Sequence, residues 1–146
     1  MNSNQLLQRA INIAAEAHQD QVDKYGSPYL GHVTRVMNMG RTVDEKIVGV
    51  LHDVVEDTAW TFEALAREGF PQHILEALHC VTKLSEDEDY EHFTERVLQN
   101  PLAIRVKIND LTDNLDIRRM PEVSVKDITR LNKYLHAYRK LIESGY

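Results

Sequence analysis

The stretch Leu51-His52-Asp53-Val54-Val55-Glu56-Asp57-Thr58 places an imidazole and three carboxylates within six residues. These are metal-ligating and acid-base groups. On a helix, His52 and Glu56 (i, i+4), Asp53 and Glu56 (i, i+3) and Asp53 and Asp57 (i, i+4) share one side, and Leu51, Val54 and Val55 form an apolar stripe. Burying that stripe would press the polar row towards a cleft, where a divalent cation compensates carboxylate charge. The residues alone also fit an amphipathic helix with a solvated acidic face.

A second cluster, Lys107 to Asn114, lies in an otherwise apolar segment. Lys107, Asp110 and Asn114 (i, i+3, i+7) share a stripe, from which Asp113 leans partly away. Asp110 needs a partner there, and a salt bridge to Lys107 is the structural alternative to a metal bond. His32 opens an apolar-periodic segment, Lys24 rides on a Gly-Ser-Pro loop, and His18 reads as a core or capping residue. Cys80, the single cysteine, sits in an apolar run and reads as a small buried hydrophobe.

The elements that must position these groups are helical. Apolar residues recur at helical spacing from Leu6 to about His18, with Ser3 or Asn4 as N-cap, and again from Leu30 to a stop near Gly40. Thr42-Val43-Asp44-Glu45 matches a capping box, and its helix is expected to run through the His-Asp motif to Asp57 or Thr58. Further helices are expected over Phe62 to Arg67, Pro71 to Thr82, Tyr90 to Gln99, Pro101 to about Leu115 and Val125 to Ser144. The acidic run Leu84 to Asp89 reads as a solvated loop. No β-alternation, internal repeat, P-loop, Rossmann glycine pattern or nucleophile elbow is found.

The chain has 146 residues, which predicts a single domain, 1–146, with a core that needs no disulfide. A net charge of −6 argues against a nucleic-acid surface but not against a nucleotide, because a bound divalent cation reverses the local sign. No membrane segment or secretory leader is evident, so the expected location is the cytoplasm. The oligomeric state is left open.

A helix bundle can bring side chains from different helices to one interior point. His32, the pair His52-Asp53 and Asp110 lie on separate expected helices and offer a mixed nitrogen and oxygen set. That set suits Mn²⁺ or Mg²⁺ and is acceptable to Fe or Zn.

This constellation resembles the signature of the HD superfamily of metal-dependent phosphohydrolases. Several segments (Ala17-His18, Lys24 to His32, Leu51 to Thr58, Val81-Thr82-Lys83 and Lys107 to Asn114) are similar to the hydrolase domain of RelA/SpoT proteins and their small hydrolase-only homologues, including the metazoan ones. The likeness spans about residues 6 to 118 and includes His52-Asp53-x-x-Glu56-Asp57, a far more specific pattern than a lone His-Asp pair. A chain of this length leaves no room for a synthetase domain, as in the small homologues.

The resemblance implies an all-α HD bundle of seven to eight helices. It implies Mn²⁺ held by His32, His52, Asp53 and Asp110, with Glu56 and Asp57 orienting or deprotonating a metal-bound water. The reaction it implies is hydrolysis of the 3′-pyrophosphate of guanosine tetra- or pentaphosphate to GDP or GTP and pyrophosphate. Lys24 and Asn114 match family positions that touch substrate, and Tyr134 corresponds to a tyrosine lining the nucleotide site.

The chain departs from the family at substrate-side positions. Asp23 stands where the family has an arginine before the lysine, Val33 replaces a proline, and Leu111 replaces another arginine. A carboxylate cannot replace a guanidinium that stacks on a base or pairs with phosphate. Two alternatives therefore stand beside the alarmone: an HD phosphohydrolase of another nucleotide or phosphorylated dinucleotide, and a metal-containing module that senses a nucleotide or binds a partner.

Overall fold

A computed structural model describes residues 1–145. Its elements are α1 (Ser3–Ala17), α2 (Tyr29–Met39), α3 (Val43–Leu51), α4 (Val54–Asp57), α5 (Phe62–Arg67), α6 (Gln72–Val81), α7 (Tyr90–Val97), α8 (Pro101–Asn114), a 3₁₀ turn (Ile117–Arg119) and α9 (Val125–Glu143). Among the described residues there is no strand, only an isolated bridge between Val22 and Pro28. No described helix is long and apolar enough to cross a membrane.

Helix starts follow local chemistry. Thr42, Thr61, Asn100 and Ser124 each accept a hydrogen bond from a backbone N–H three residues on, and Pro101 occupies the first turn of α8. At the first helix the cap is Asn2, in a reciprocal box with Gln5, one residue before Ser3 and two before Asn4, the expected caps. Asn2 holds the extended backbone that a cap requires, and its side chain reaches the Gln5 amide.

The centre of the bundle is α3, which packs on α1, α2, α6 and α8. Ile47, Val48, Val50 and Leu51 are buried on several faces at once. Gly49 lets α2 approach, since a Cβ there would lie 3.3 Å from the Met37 backbone. Truncating Leu51 to alanine in such a core costs about 2–5 kcal/mol.

The expected single helix from Val43 through Asp57 is interrupted. It ends at Leu51, Asp53 takes φ −106° and ψ 0°, and α4 begins at Val54. Neighbouring residues on a continuous helix diverge by about 100° and do not face each other. The interruption is what brings the His52 and Asp53 side chains to one point, with Nε2 and Oδ2 3.0 Å apart.

The acidic run after α6 is not uniformly solvated. The Glu88 side chain is only 6% exposed, and Arg96 clamps it through Nε (2.7 Å) and Nη2 (2.8 Å). Arg96 also donates to the carbonyls of His79 and Thr82, tying the loop to α6. This pairing holds the Glu88 carboxyl at about 2, below its ordinary 4.5. A depressed carboxyl contributes stability above its unfolded value and loses it as pH falls through the folded one. Glu88→Gln is therefore expected to lower stability by about 2 kcal/mol at neutral pH, the gap closing towards pH ~2. Urea denaturation of both proteins across that range checks it.

Candidate metal centre and active site

Four side chains from three parts of the bundle converge beside α3. His32 is on the first turn of α2, His52 and Asp53 form the turn between α3 and α4, and Asp110 is on α8. His32, His52 and Asp53 offer ligand atoms that all lie within 4.8 Å of one another. Asp110 Oδ1 lies 3.0 Å from His32 Nε2 and 3.3 Å from His52 Nε2. His52 is 2% exposed, and His32 and Asp110 are each 4% exposed.

The two imidazoles are oriented from behind. His52 Nδ1 donates to the Gly49 carbonyl at 2.6 Å, and His32 Nδ1 donates to Asp113 Oδ2 at 2.6 Å. With the proton fixed on Nδ1, each Nε2 carries its lone pair towards the centre, the arrangement a metal requires. His52 Nε2 is buried and has no hydrogen-bond partner, although Asp53 and Asp110 oxygens stand close by. Burial opposes charge on His52, yet Asp53 and Asp110 outweigh it and raise its pKa well above the ordinary value. Burial likewise opposes ionisation of Asp110, but Lys107 and then His52 hold its carboxyl well below the usual range. The cluster therefore favours positive charge at its centre, and a divalent cation fits the donors.

The salt bridge between Lys107 and Asp110 exists, at 2.9 Å, but it uses Oδ2 and leaves Oδ1 to the imidazoles. Asn114 donates to that Oδ1 at 3.1 Å. Thus the structural and the metal-ligating readings of Asp110 are compatible.

Asp113 was expected to lean away from the stripe, and it does leave that stripe, to grip His32. It is 5% exposed and is paired with Arg35 Nε at 2.7 Å. Its spacing of i+3 from Asp110 was the available signal, but a contact with His32 across 81 residues leaves no sequence trace. Asp113→Ala is expected to weaken metal affinity ~10–100-fold, as loss of an outer partner of a metal-bound histidine does. Titration of the metal-free protein with Mn²⁺ measures it.

Glu56 and Asp57 extend from α4 beside this cluster and, with Asp53, Lys83, Lys107 and Lys133, line a cavity of about 290 Å³. Glu56 Oε1 accepts from the Lys83 amide at 2.9 Å. Burial raises the Glu56 carboxyl, and Asp53 and Asp57 add to the shift against the pull of the Lys83 amide. Burial and then Asp53 likewise raise Asp57. Tyr29 donates to Asp53 Oδ2 at 2.5 Å, a contact missed in the sequence although Tyr29 lies one turn before His32.

A second cavity of about 260 Å³ adjoins the first, and Lys24, Asn114 and Tyr134 all line it. Tyr29, Asn114 and Tyr134 border both spaces. Burial, followed by repulsion from Arg130, lowers the pKa of Lys24. Arg119 and Arg130 also line this space, so guanidinium groups reach it from the 3₁₀ turn and from α9 although the loop itself carries Asp23. Nothing in the local sequence around Arg119 or Arg130 places them there. Leu111, at the other departure, is fully buried in the core.

No family model matches the chain. It is 30% identical over 120 residues to a guanosine-3′,5′-bis(diphosphate) 3′-pyrophosphohydrolase of Aquifex aeolicus, covering 75% of this chain and 17% of that protein. It is 33% identical over 127 residues to a GTP pyrophosphokinase of Myxococcus xanthus, covering 75% of this chain and 17% of that one. The fold matches a solved metazoan orthologue of SpoT, described as hydrolysing ppGpp. That match has a TM-score of 0.77 and 24% identity, and covers 95% of this chain and 84% of the other. Over about three quarters of its length the chain is thus similar to the RelA/SpoT hydrolase-domain branch. It spans about a sixth of the length of the curated relatives. The all-α architecture expected for an HD bundle is found, with one further helix arising from the interruption at His52-Asp53.

Proposed function

We propose that residues 1–146 act as one hydrolase domain that cleaves the 3′-pyrophosphate of guanosine tetra- or pentaphosphate, yielding GDP or GTP and pyrophosphate, in the cytoplasm. The observation that carries this reading is the buried, unpartnered Nε2 of His52 facing carboxylate oxygens at 3.0 and 3.3 Å, beside two cation-lined cavities. His32, His52, Asp53 and Asp110 would hold the ion, and the mixed nitrogen and oxygen donors favour Mn²⁺. Bound there, the ion supplies Lewis acidity to a phosphoryl oxygen and acidifies water.

The chain's own residues account for the rest. Glu56, its carboxyl raised by burial, is the proton acceptor for the attacking water, and Asp57 orients that water. Lys83, Lys107 and Lys133 line the same cavity and oppose the charge of the pyrophosphoryl group. The ribose 3′ oxygen leaves as a hydroxyl, and pyrophosphate keeps the oxygen of the water. Lys24, Asn114 and Tyr134 border the adjoining space, which suits the nucleoside and its 5′ phosphates.

One observation favours a second reading. Asp23 and Leu111 stand where the resemblance expects arginines, which supports an HD phosphohydrolase of another nucleotide or phosphorylated dinucleotide. A nucleotide panel with Mn²⁺ and product analysis separates the two. Pyrophosphate from guanosine tetraphosphate supports the first reading; phosphate released only from another nucleotide replaces it with the second.

A further inference from the structure

The position at which an arginine is missing is the informative one. Asp23 belongs to a loop pinned by the bridge between Val22 and Pro28 and by a hydrogen bond from its own amide to the Ser27 carbonyl at 2.8 Å. Gly26 turns that loop at φ +84°, a conformation that favours glycine. Asp23 Oδ1 accepts from the amides of Tyr25 (2.9 Å) and Ser27 (3.0 Å), which fixes the carboxylate. Its Oδ2 meets only Arg119 Nη1, at a long 3.4 Å. Arg119 is itself steadied by the Asp113 carbonyl at 3.1 Å, and its Nε is buried without a hydrogen-bond partner. Both residues line the 260 Å³ cavity, beside the rings of Tyr25, Tyr29 and Tyr134.

Resting on the hydrolase reading above, we propose that Asp23 and Arg119 form a guanine-reading pair at the nucleoside end of the site. A carboxylate has about four acceptor sites, and Asp23 Oδ2 uses one of its own weakly. Guanine presents two donors, N1–H and the N2 amino group, next to the acceptor O6. Asp23 Oδ2 accepts from the two donors as Arg119 gives up its long contact to that oxygen and donates to O6 instead. Adenine offers the reverse order, an acceptor at N1 and a donor at N6, and leaves both side chains unpaired. The surrounding tyrosine rings suit the flat face of a base. The arginine absent from the loop is thus replaced in function by a guanidinium from the 3₁₀ turn, and the loop carboxylate adds selectivity for guanine. A pair that served only to tether loop to turn would affect every nucleotide alike.

The test compares wild type and Asp23→Asn, Mn²⁺-loaded, on the 3′,5′-bis(diphosphates) of guanosine, xanthosine and adenosine. Asparagine keeps an acceptor for the Tyr25 and Ser27 amides, so the loop survives, and thermal melting verifies it. Its amide donor meets the C2 carbonyl of xanthine in place of the guanine amino group. Wild type is expected to prefer guanosine over adenosine by ~100-fold or more, and Asp23→Asn to lose ~10–100-fold in kcat/KM on guanosine while the xanthosine-to-guanosine ratio rises. A ratio unchanged by the substitution overturns the proposal. Calorimetry with GDP, XDP and ADP reads the same pair without turnover. If wild type hydrolyses none of the three substrates, the hydrolase reading fails, and the pair is judged by binding. A preference for GDP that moves towards XDP in Asp23→Asn upholds it, and equal affinities overturn it.

Discussion

Asp53→Asn is expected to leave the protein folded, empty of metal after dialysis, and slower in hydrolysis by ~10³-fold or more. An ion that stabilises phosphoryl charge contributes several kcal/mol to the transition state, and about 1.4 kcal/mol is tenfold in rate. Asp53 is central because its Oδ2 faces both imidazoles, 3.0 Å from His52 Nε2 and 3.7 Å from His32 Nε2. Asparagine keeps the size and can still accept from Tyr29, so the turn between α3 and α4 keeps its packing. What is lost is one anionic member of the proposed set of two imidazoles and two carboxylates. Elemental analysis of the dialysed variant, paired with a turnover assay, measures both quantities. Full metal content would remove Asp53 from the ligand set.

Glu56→Gln is expected to separate metal binding from chemistry. The variant should keep its ion and lose ~10²–10⁴-fold in kcat, the range in which a positioned proton acceptor contributes. Glutamine preserves the acceptor oxygen for the Lys83 amide, now at 2.9 Å, so the loop between α6 and α7 stays in place. Only the capacity to take a proton disappears. Unaltered kcat with the ion present would exclude Glu56 from the mechanism. A sensing module would tolerate this substitution, whereas a hydrolase would not.

Much of the candidate site was legible because its proposed ligands sit in local patterns. His52-Asp53 and Asp110 stand out as polar groups in apolar helices, and Glu56 and Asp57 follow at helical spacing. The helices were legible from periodicity and caps, to within a residue or two at most ends. The interruption after Leu51 was not, because Val54 and Val55 continue the apolar pattern and neither glycine nor proline marks the turn. Asp113, Tyr29, Arg119 and Arg130 were hidden for a different reason. Each acts through a partner distant in the chain: His32 for Asp113, Asp53 for Tyr29, Asp23 for Arg119 and Tyr25 for Arg130. Glu88 belongs with them, since nothing in an acidic run says which carboxylate turns inward to an arginine.

The most direct measurement is pyrophosphate release from guanosine tetraphosphate by the purified protein before chelation, after chelation, and after Mn²⁺ is restored. GDP and pyrophosphate are expected in equal amounts, with loss of both on chelation and recovery with Mn²⁺. Pyrophosphate release that survives removal of the metal, or no release from the Mn²⁺-loaded protein, would contradict the proposed function.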